Sequence, residues 1–326
     1  MAYQLQGDEF TVEGSTVTYN LPANRAYITA PNDATKITTV DSGVLDGTLS
    51  ITNLPNLTEL VAHTAQWYSL KLGSTSLTTL DIRAMKNAPA LNLSVCPNLE
   101  TVKFGGSDMN AVNVAGCAVL TDIVGNGCLN LVTLNLTGCT GLINCEMNHC
   151  ENFTTIIGVA DCENVDCFSF FSSGLTSFDA TGCDIITYLD MDNSAALTSV
   201  NVASCPMLIE LSVPGTLVTT IDVHDKTALT TLYTYDSPIT SVNVAGCTSL
   251  NAVLLNDCSL NATALDTILA NLVTNAVVGG TCDLGDSTGL AEPLYGNGIP
   301  SAAGLASKAT LEDPEGLGWT VTVNEG

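Results

Sequence analysis

Between Leu197 and Cys258 one short pattern is written again and again: LTSVNVASC, LIELSVPGT, VTTIDVHDK, LTTLYTYDS, ITSVNVAGC and LNAVLLNDC. Each reads as an apolar residue, two positions that tolerate polar side chains, a second apolar residue, one exposed position, a third apolar residue and then turn formers. Apolar positions alternating over a few residues and followed by a corner predict a short strand and a turn. Such units start at Leu99, Met109, Leu120, Leu131, Leu142, Phe153, Val165, Leu175, Ile186, Leu197, Leu208, Val218, Leu229, Ile239 and Leu250, a step of 10 to 12 residues throughout. A fixed period of this kind predicts stacked coils, because one unit alone has nothing against which to bury its apolar side. Within a strand alternate residues face opposite ways, so the fourth and sixth positions point inward and the third and fifth outward.

A second regularity shows that the true repeat is two units long. Cys96, Cys117, Cys139, Cys162, Cys183 and Cys205 recur every 21 to 23 residues, Lys226 takes the next place, and Cys247 resumes the column. Cys128, Cys150 and Cys258 belong to the opposite corner, Cys145 points inward, Cys167 outward, and Cys282 lies in the C-terminal region. Neighbouring rungs ~4.8 Å apart would bring Cα atoms into disulfide range, but side chains in register point the same way and pair badly. The odd total of 13 agrees, so reduced, buried thiols are expected. No C-x-x-C occurs, and two of the five residues Cys145, His149, Cys150, Cys162 and Cys167 are corner members, so no metal site is assigned.

The pattern fails at both ends. FTVEGSTVTYNLP, RAYITA and KITTVDSG read as strands, and residues 1–44 are expected to form a β cap or a docking segment, two readings that stay open. Coils begin near Leu49; Trp67 and Tyr68 are expected as core filler, and APALNLSVC marks a compressed coil. After residues 45–260 the period lengthens. Leu265, Ile268, Leu269, Leu272 and Val273 fall at helical spacing with Asn261 or Thr263 as N-cap, TCDLGD is a strand, Ser301 caps a second helix, and GWTVTVN is a last strand. Residues 261–326 are thus expected to be an α/β capping region.

The motif L-x-x-L-x-L-x-x-(Asn or Cys)-x-x-L, which LTSVNVASCPML matches position by position, resembles the leucine-rich repeat signature. The nearly symmetric halves of each coil are similar to the short bacterial class of about 21 residues called IRREKO. The resemblance implies a β-rich solenoid with two strand-turn halves per coil and, at the ninth position, a side chain that bonds the turn or fills a small volume. The string PSAAGLASKATLE followed by GWTVTVN resembles the C-terminal ending of many leucine-rich proteins of bacteria and their phages.

Composition narrows the partners. With 46% apolar residues and only 5% aromatic, the interior must be filled by Leu, Val, Ile and Cys at small, regular volume. Eight Lys and Arg against 33 Asp and Glu give a net charge of −25, which lacks the clustered positive field that nucleic acid or an anionic membrane requires. No apolar span is long enough for membrane insertion. MAYQLQGDEF carries neither the basic nor the apolar region of a signal peptide, so folding in a cytoplasm is expected, the alternative being a removed signal.

One side of the coils is nearly uniform: Thr133 and Asn135, Thr155 and Ile157, Ser177 and Asp179, Ser199 and Asn201, Thr220 and Asp222, Ser241 and Asn243. Such ladders serve solubility and rung-to-rung bonding. The other side varies, and its Glu146, Phe171, Tyr188, Asp190, Glu210, Tyr233 and Tyr235 form the candidate binding face, since rings fill partner pockets or stack on sugars while polar groups set orientation. Asp190, Asp192 and Glu210 are placed on adjacent rungs, but no basic or histidine partner joins them, and no phosphate loop, G-x-S-x-G or dinucleotide fingerprint occurs. The expectation is a non-enzymatic recognition or adhesion protein without cofactor: a phage virion component (fibre, tip or decoration) that contacts other virion proteins and a bacterial surface polysaccharide or protein. A bacterial cell-surface or secreted adhesin and a purely structural subunit are the alternatives, and self-association into a homo-oligomer stays open.

Overall fold

Each repeat delivers one apolar side chain to the centre of a three-residue strand, and Leu80, Val102, Ile123 and Cys145 show the outcome: all are fully buried. The structure, a computed structural model, describes residues 10–13, 16–21, 36–41, 48–51, 56–62, 69–72, 76–85, 90–286 and 295–324. The RAYITA strand, Trp67 and Tyr68 lie outside the described residues. The chain divides into two units, Met1–Val165 and Asp166–Gly326. Each is built as a β-solenoid of short strands and turns.

In the first unit one sheet contains Phe10–Glu13, Thr16–Leu21, Lys36–Asp41, Glu59–Val61, Thr79–Asp81, Thr101–Lys103, Asp122–Val124 and Asn144–Glu146. Only the first two strands pair antiparallel; the coil strands pair parallel and in register, as Asp122 with Asn144 and Ile123 with Cys145. A second sheet contains Ala90–Asn92, Ala111–Asn113, Thr133–Asn135 and Thr155–Ile157. The compressed APALNLSVC coil keeps this register, with Leu91 opposite Val112. Thr48–Ile51 and Ser69–Leu72 form a separate parallel pair.

Coils are joined at the corners by side chains as well as by strands. The Cys139 thiol donates to the Val114 carbonyl of the preceding coil at 3.3 Å, Cys117 to Leu93 at 3.5 Å, Cys205 to Ala180 at 3.7 Å and Cys247 to Val223 at 2.9 Å. At the opposite corner Cys128 donates to Phe104 and Cys150 to Gly125, both at 3.2 Å. The same place is held in other coils by buried serines: Ser107 donates to Ile82 at 3.3 Å and Ser194 to Phe170 at 3.0 Å. A hydroxyl also accepts, and Ser107 takes the Met85 N–H and Ser194 the Ser173 N–H. The second column is therefore a mixed serine and cysteine ladder, whereas the sequence marks only its cysteines. Burial pushes Cys117 up to about 11 and Cys139 and Cys183 up to about 12, which keeps these thiols protonated donors at neutral pH. The residue before a column cysteine adopts the left-handed conformation at Gly116 (φ 82°) and Gly138 (φ 73°), where a Cβ would be strained.

In the second unit Cys167–Ser169, Tyr188–Asp190, Glu210–Ser212, Thr231–Tyr233, Ala252–Leu254, Thr281–Asp283 and Thr320–Thr322 form one parallel sheet. On the other side Ser177–Asp179 pairs with Ser199–Asn201, and Thr220–Asp222 pairs with Ser241–Asn243. Phe168, Phe170 and Phe178 make a buried ring cluster with centroids 5.3 to 5.5 Å apart, a local exception to the small-residue interior.

Helix α1 (Ala262–Asn275) begins at Asn261, whose side chain accepts the Ala264 N–H at 3.0 Å, and buries Leu265, Ile268, Leu269 and Leu272. Helix α2 (Ala302–Glu312) is capped by Ser301 as the sequence predicts. At the end of α1 the Asn275 amide donates to the Val244 carbonyl at 2.9 Å and accepts the Gly246 N–H at 3.0 Å. Asn297 ties Leu255 and Leu284 carbonyls at 2.7 and 3.0 Å, and the Trp319 indole donates to Val277 at 2.6 Å. Among the described residues no helix is long and apolar enough to cross a membrane.

The corner geometry gives a direct expectation for thiol chemistry. Cys167 is half-buried and the other twelve cysteines are buried, so a thiol reagent on the native protein should modify Cys167 and spare the columns until denaturant is added, read as a single mass increment. Cys128→Ser, which installs the donor found at Ser107, should shift the denaturation midpoint little, whereas Cys139→Leu should destabilise by about 1–3 kcal/mol through overpacking.

Candidate functional site

The uniform side is consumed by the fold itself. Asn135 accepts the Thr137 N–H at 3.0 Å, Asp179 the Thr181 N–H at 3.1 Å and Asn201 the Ala203 N–H at 3.1 Å, so each closes its own turn. Between rungs the Asn113 amide donates to Asn92 at 3.2 Å and Asn201 to Asp179 at 2.9 Å. Asn or Asp in this column is a turn-closing ladder, and most of its polar capacity is already spoken for.

The varied side in the second unit is different. Register places Tyr188 beside Glu210 and Asp190 beside Ser212, and on the next rung Glu210 beside Thr231 and Ser212 beside Tyr233. One step further along each rung come Phe171, Asp192 and Tyr235, aligned by bonds from Ser172 N–H to the Asp192 carbonyl at 2.7 Å and from Gly215 N–H to the Tyr235 carbonyl at 3.0 Å. Asp190 accepts the Asp192 N–H at 2.9 Å, and the Ser212 hydroxyl donates to Asp192 at 2.5 Å.

Six of the predicted face residues thus fall in one unit, and all six are half-buried rather than freely exposed. Ser169 and Ser212, expected to point to solvent, are 8% and 3% exposed. Larger neighbours on rungs only ~4.8 Å apart cover a small side chain. The seventh, Glu146, belongs to the first unit, where its carboxylate accepts from Asn126 at 3.1 Å and Asn144 at 2.9 Å and braces that sheet.

The carboxylates in the second unit repel one another. Burial pushes Asp192 up to about 7, with Asp190 and Glu210 adding to the rise and the Ser212 hydroxyl opposing it. Glu210 is raised by burial and by Asp190. Burial, then Asp190 and Glu210, push the Tyr188 phenol up to about 12, and Tyr235 rises for the same kind of reason, with Asp192 next after burial. The surface therefore offers aromatic rings, phenolic donors and concentrated negative charge. Of the histidines, His224 is paired with Asp222 at 2.8 Å on the other side of the coil, His149 sits at a left-handed corner of the first unit, and His63 lies outside the described residues.

No protein-family model and no curated protein matches the chain. Among solved structures it is similar to the functional domain of InlJ from Listeria monocytogenes, which includes a cysteine ladder, at 15% identity over 78% of this chain and 71% of that one, with a TM-score of 0.31. It is similar as well to the internalin InlF of Listeria monocytogenes, at 12% identity over 96% and 87% of the two chains with a TM-score of 0.34. A leucine-rich repeat protein from Bacteroides ovatus aligns at 13% identity over 99% and 100%, with a TM-score of 0.24.

Asp192 makes stability depend on pH. Its carboxyl titrates near 7 in the fold against an ordinary value of 3.8, so the fold favours the protonated form. That contribution is complete below pH 3.8 and is lost as pH rises through about 7. Asp192→Asn removes the ionisation, so its denaturation midpoint relative to the wild type should climb between pH 4 and 7 and level off above. A pH-independent difference would refute the assignment.

Proposed function

We propose that the protein is a non-enzymatic recognition or adhesion protein that engages its partner through the varied sheet face of the second unit. The observation that carries this reading is the grouping of Phe171, Tyr188, Tyr233 and Tyr235 with Asp190, Asp192 and Glu210 on one regular surface. Half-buried rings are held rigid and lose little freedom on binding, while phenols and carboxylates supply orientation. The opposite side, engaged in its own turns, supports the choice of this face.

The finer reading is a phage virion component, of the short two-half repeat class, that contacts a bacterial surface polysaccharide or protein, with residues 1–44 and 261–326 closing a solenoid of residues 45–260. It is supported by the ending PSAAGLASKATLE and GWTVTVN, which resembles that of leucine-rich proteins of bacteria and their phages. A bacterial surface adhesin and a purely structural subunit share the same scaffold. A second chemistry, hydrolysis of a bound glycan, has one observation in its favour: Asp192 titrates near neutrality beside Asp190.

Tyr188→Ser combined with Tyr233→Ser is expected to reduce binding of the labelled protein to bacterial surfaces by tenfold or more, on the order of one hot-spot pair, with the denaturation midpoint nearly unchanged. Unchanged binding would remove the face assignment. New reducing ends on incubation with capsular or wall polysaccharide would replace recognition by hydrolysis.

A further inference from the structure

The second sheet of the unit Asp166–Gly326 is interrupted. Ser199–Asn201 and Thr220–Asp222 belong to successive coils, yet no ladder joins them. On either side of the break the main chain bonds normally, with the Ala180 N–H on the Asn201 carbonyl at 2.9 Å and the Val223 N–H on the Asn243 carbonyl at 3.0 Å. Across the break, Val202 makes no such bond to Asp222, and neither Thr219 nor Thr220 reaches the Thr198 carbonyl. The same two coils stay in register through Glu210–Ser212 and Thr231–Tyr233, and the Leu217 N–H still meets the Leu197 carbonyl at 2.8 Å. They part on one side only, as a wedge.

The two coils also differ at the corner. Lys226 stands where Cys183, Cys205 and Cys247 stand in other coils. The thiols of Cys205 and Cys247 reach Ala180 and Val223, the sixth residue of the corresponding half of the preceding coil, but the Lys226 ammonium donates to Ala203, one residue further along, at 2.8 Å. Four methylenes and an ammonium take more space than a thiol, and beside them the ladder is open. The opening is a cleft of about 400 Å³ whose lining includes Val200, Val202, Pro206, Thr220, Asp222 and Lys226. Val200 is half-exposed there, although its counterparts Phe178, Ile221 and Val242 are buried.

Three features of this cleft converge on one ligand class. Both walls carry strand edges without main-chain partners, which is the arrangement that accepts an added strand. Val200, Val202 and Pro206 give the walls a small apolar surface. Lys226 is only 5% exposed, and among the described residues no carboxylate stands at ion-pair distance from it: of the two aspartates that line the cleft, Asp222 is turned to His224 and Asp225 is exposed, and Ala203 accounts for one of the three ammonium donors. A buried cation without a counter-charge favours an anionic guest. We propose that the cleft receives an extended peptide segment that presents a carboxylate to Lys226. The volume lies in the range of small-ligand sites, about 300–1,000 Å³.

The test passes a pool of N-acetylated pentapeptides over the immobilised full chain and reads retention by mass. Retained peptides should carry a free carboxylate; amidating the C-terminus and, separately, replacing Asp or Glu by Asn or Gln identify which carboxylate is used. Lys226→Met keeps the length and removes the charge, and should lower retention about tenfold to a hundredfold, the usual weight of a charged hydrogen bond. Lys226→Cys restores the column, and should close the ladder, slow hydrogen exchange at the Val202 amide and abolish retention. Exchange at Val202 reports the cleft in each variant independently of any peptide. The proposal is overturned if the wild type retains no peptide at millimolar concentration, if Lys226→Met retains the same peptides equally well, or if an acidic oligosaccharide is held and peptides are not.

Discussion

The structure rests on side-chain donors that reach the corner carbonyls of the preceding coil. Strands three residues long make few main-chain bonds, so the turns must be held coil to coil, and a carbonyl buried there without a donor costs on the order of 1–3 kcal/mol. A thiol or hydroxyl on a single carbon has the right reach, which is why Cys128, Cys150, Ser107 and Ser194 do the same job. Lys226 shows the limit of that tolerance. It still supplies a donor, but from too long a stem, and one side of the stack gives way.

Much of this was readable in advance because period and polarity agree. Strand centres, the two-unit repeat, the main cysteine column, both helices and the Ser301 cap follow from spacing alone. The serines of the second column were not readable, since a serine after a strand looks like an ordinary turn residue and its burial depends on the coil before it. The cleft was hidden for a related reason. In the sequence Lys226 is a gap in a column, and only the length of its side chain, set against the thiol at Cys205, reveals what the gap does. That Ser169 and Ser212 are covered at outward positions was not readable, because a two-residue alternation says which way a side chain points and nothing about how large its neighbours are.

One backbone thus yields two unlike surfaces. Where Asn and Asp close their own turns, as at Asn135 and Asn201, the face is fixed by the repeat and, outside the cleft at Lys226, has little to offer a partner. Where that task falls to few residues, side chains have been free to vary, and rings and carboxylates have gathered around Asp192 although they raise one another's titration. The variety has a cost in charge repulsion that the uniform side avoids.

Asn275 carries a different lesson. Its oxygen takes the Gly246 N–H and its nitrogen serves the Val244 carbonyl, the two bonds that a following coil would make with its own main chain and its own thiol. A carboxamide is a peptide group cut loose from the backbone, so a single residue counterfeits the next rung and leaves nothing at that corner for another to grip. Such an array can gain or lose rungs through evolution without a new terminus, as long as a helix delivers one asparagine to the last corner.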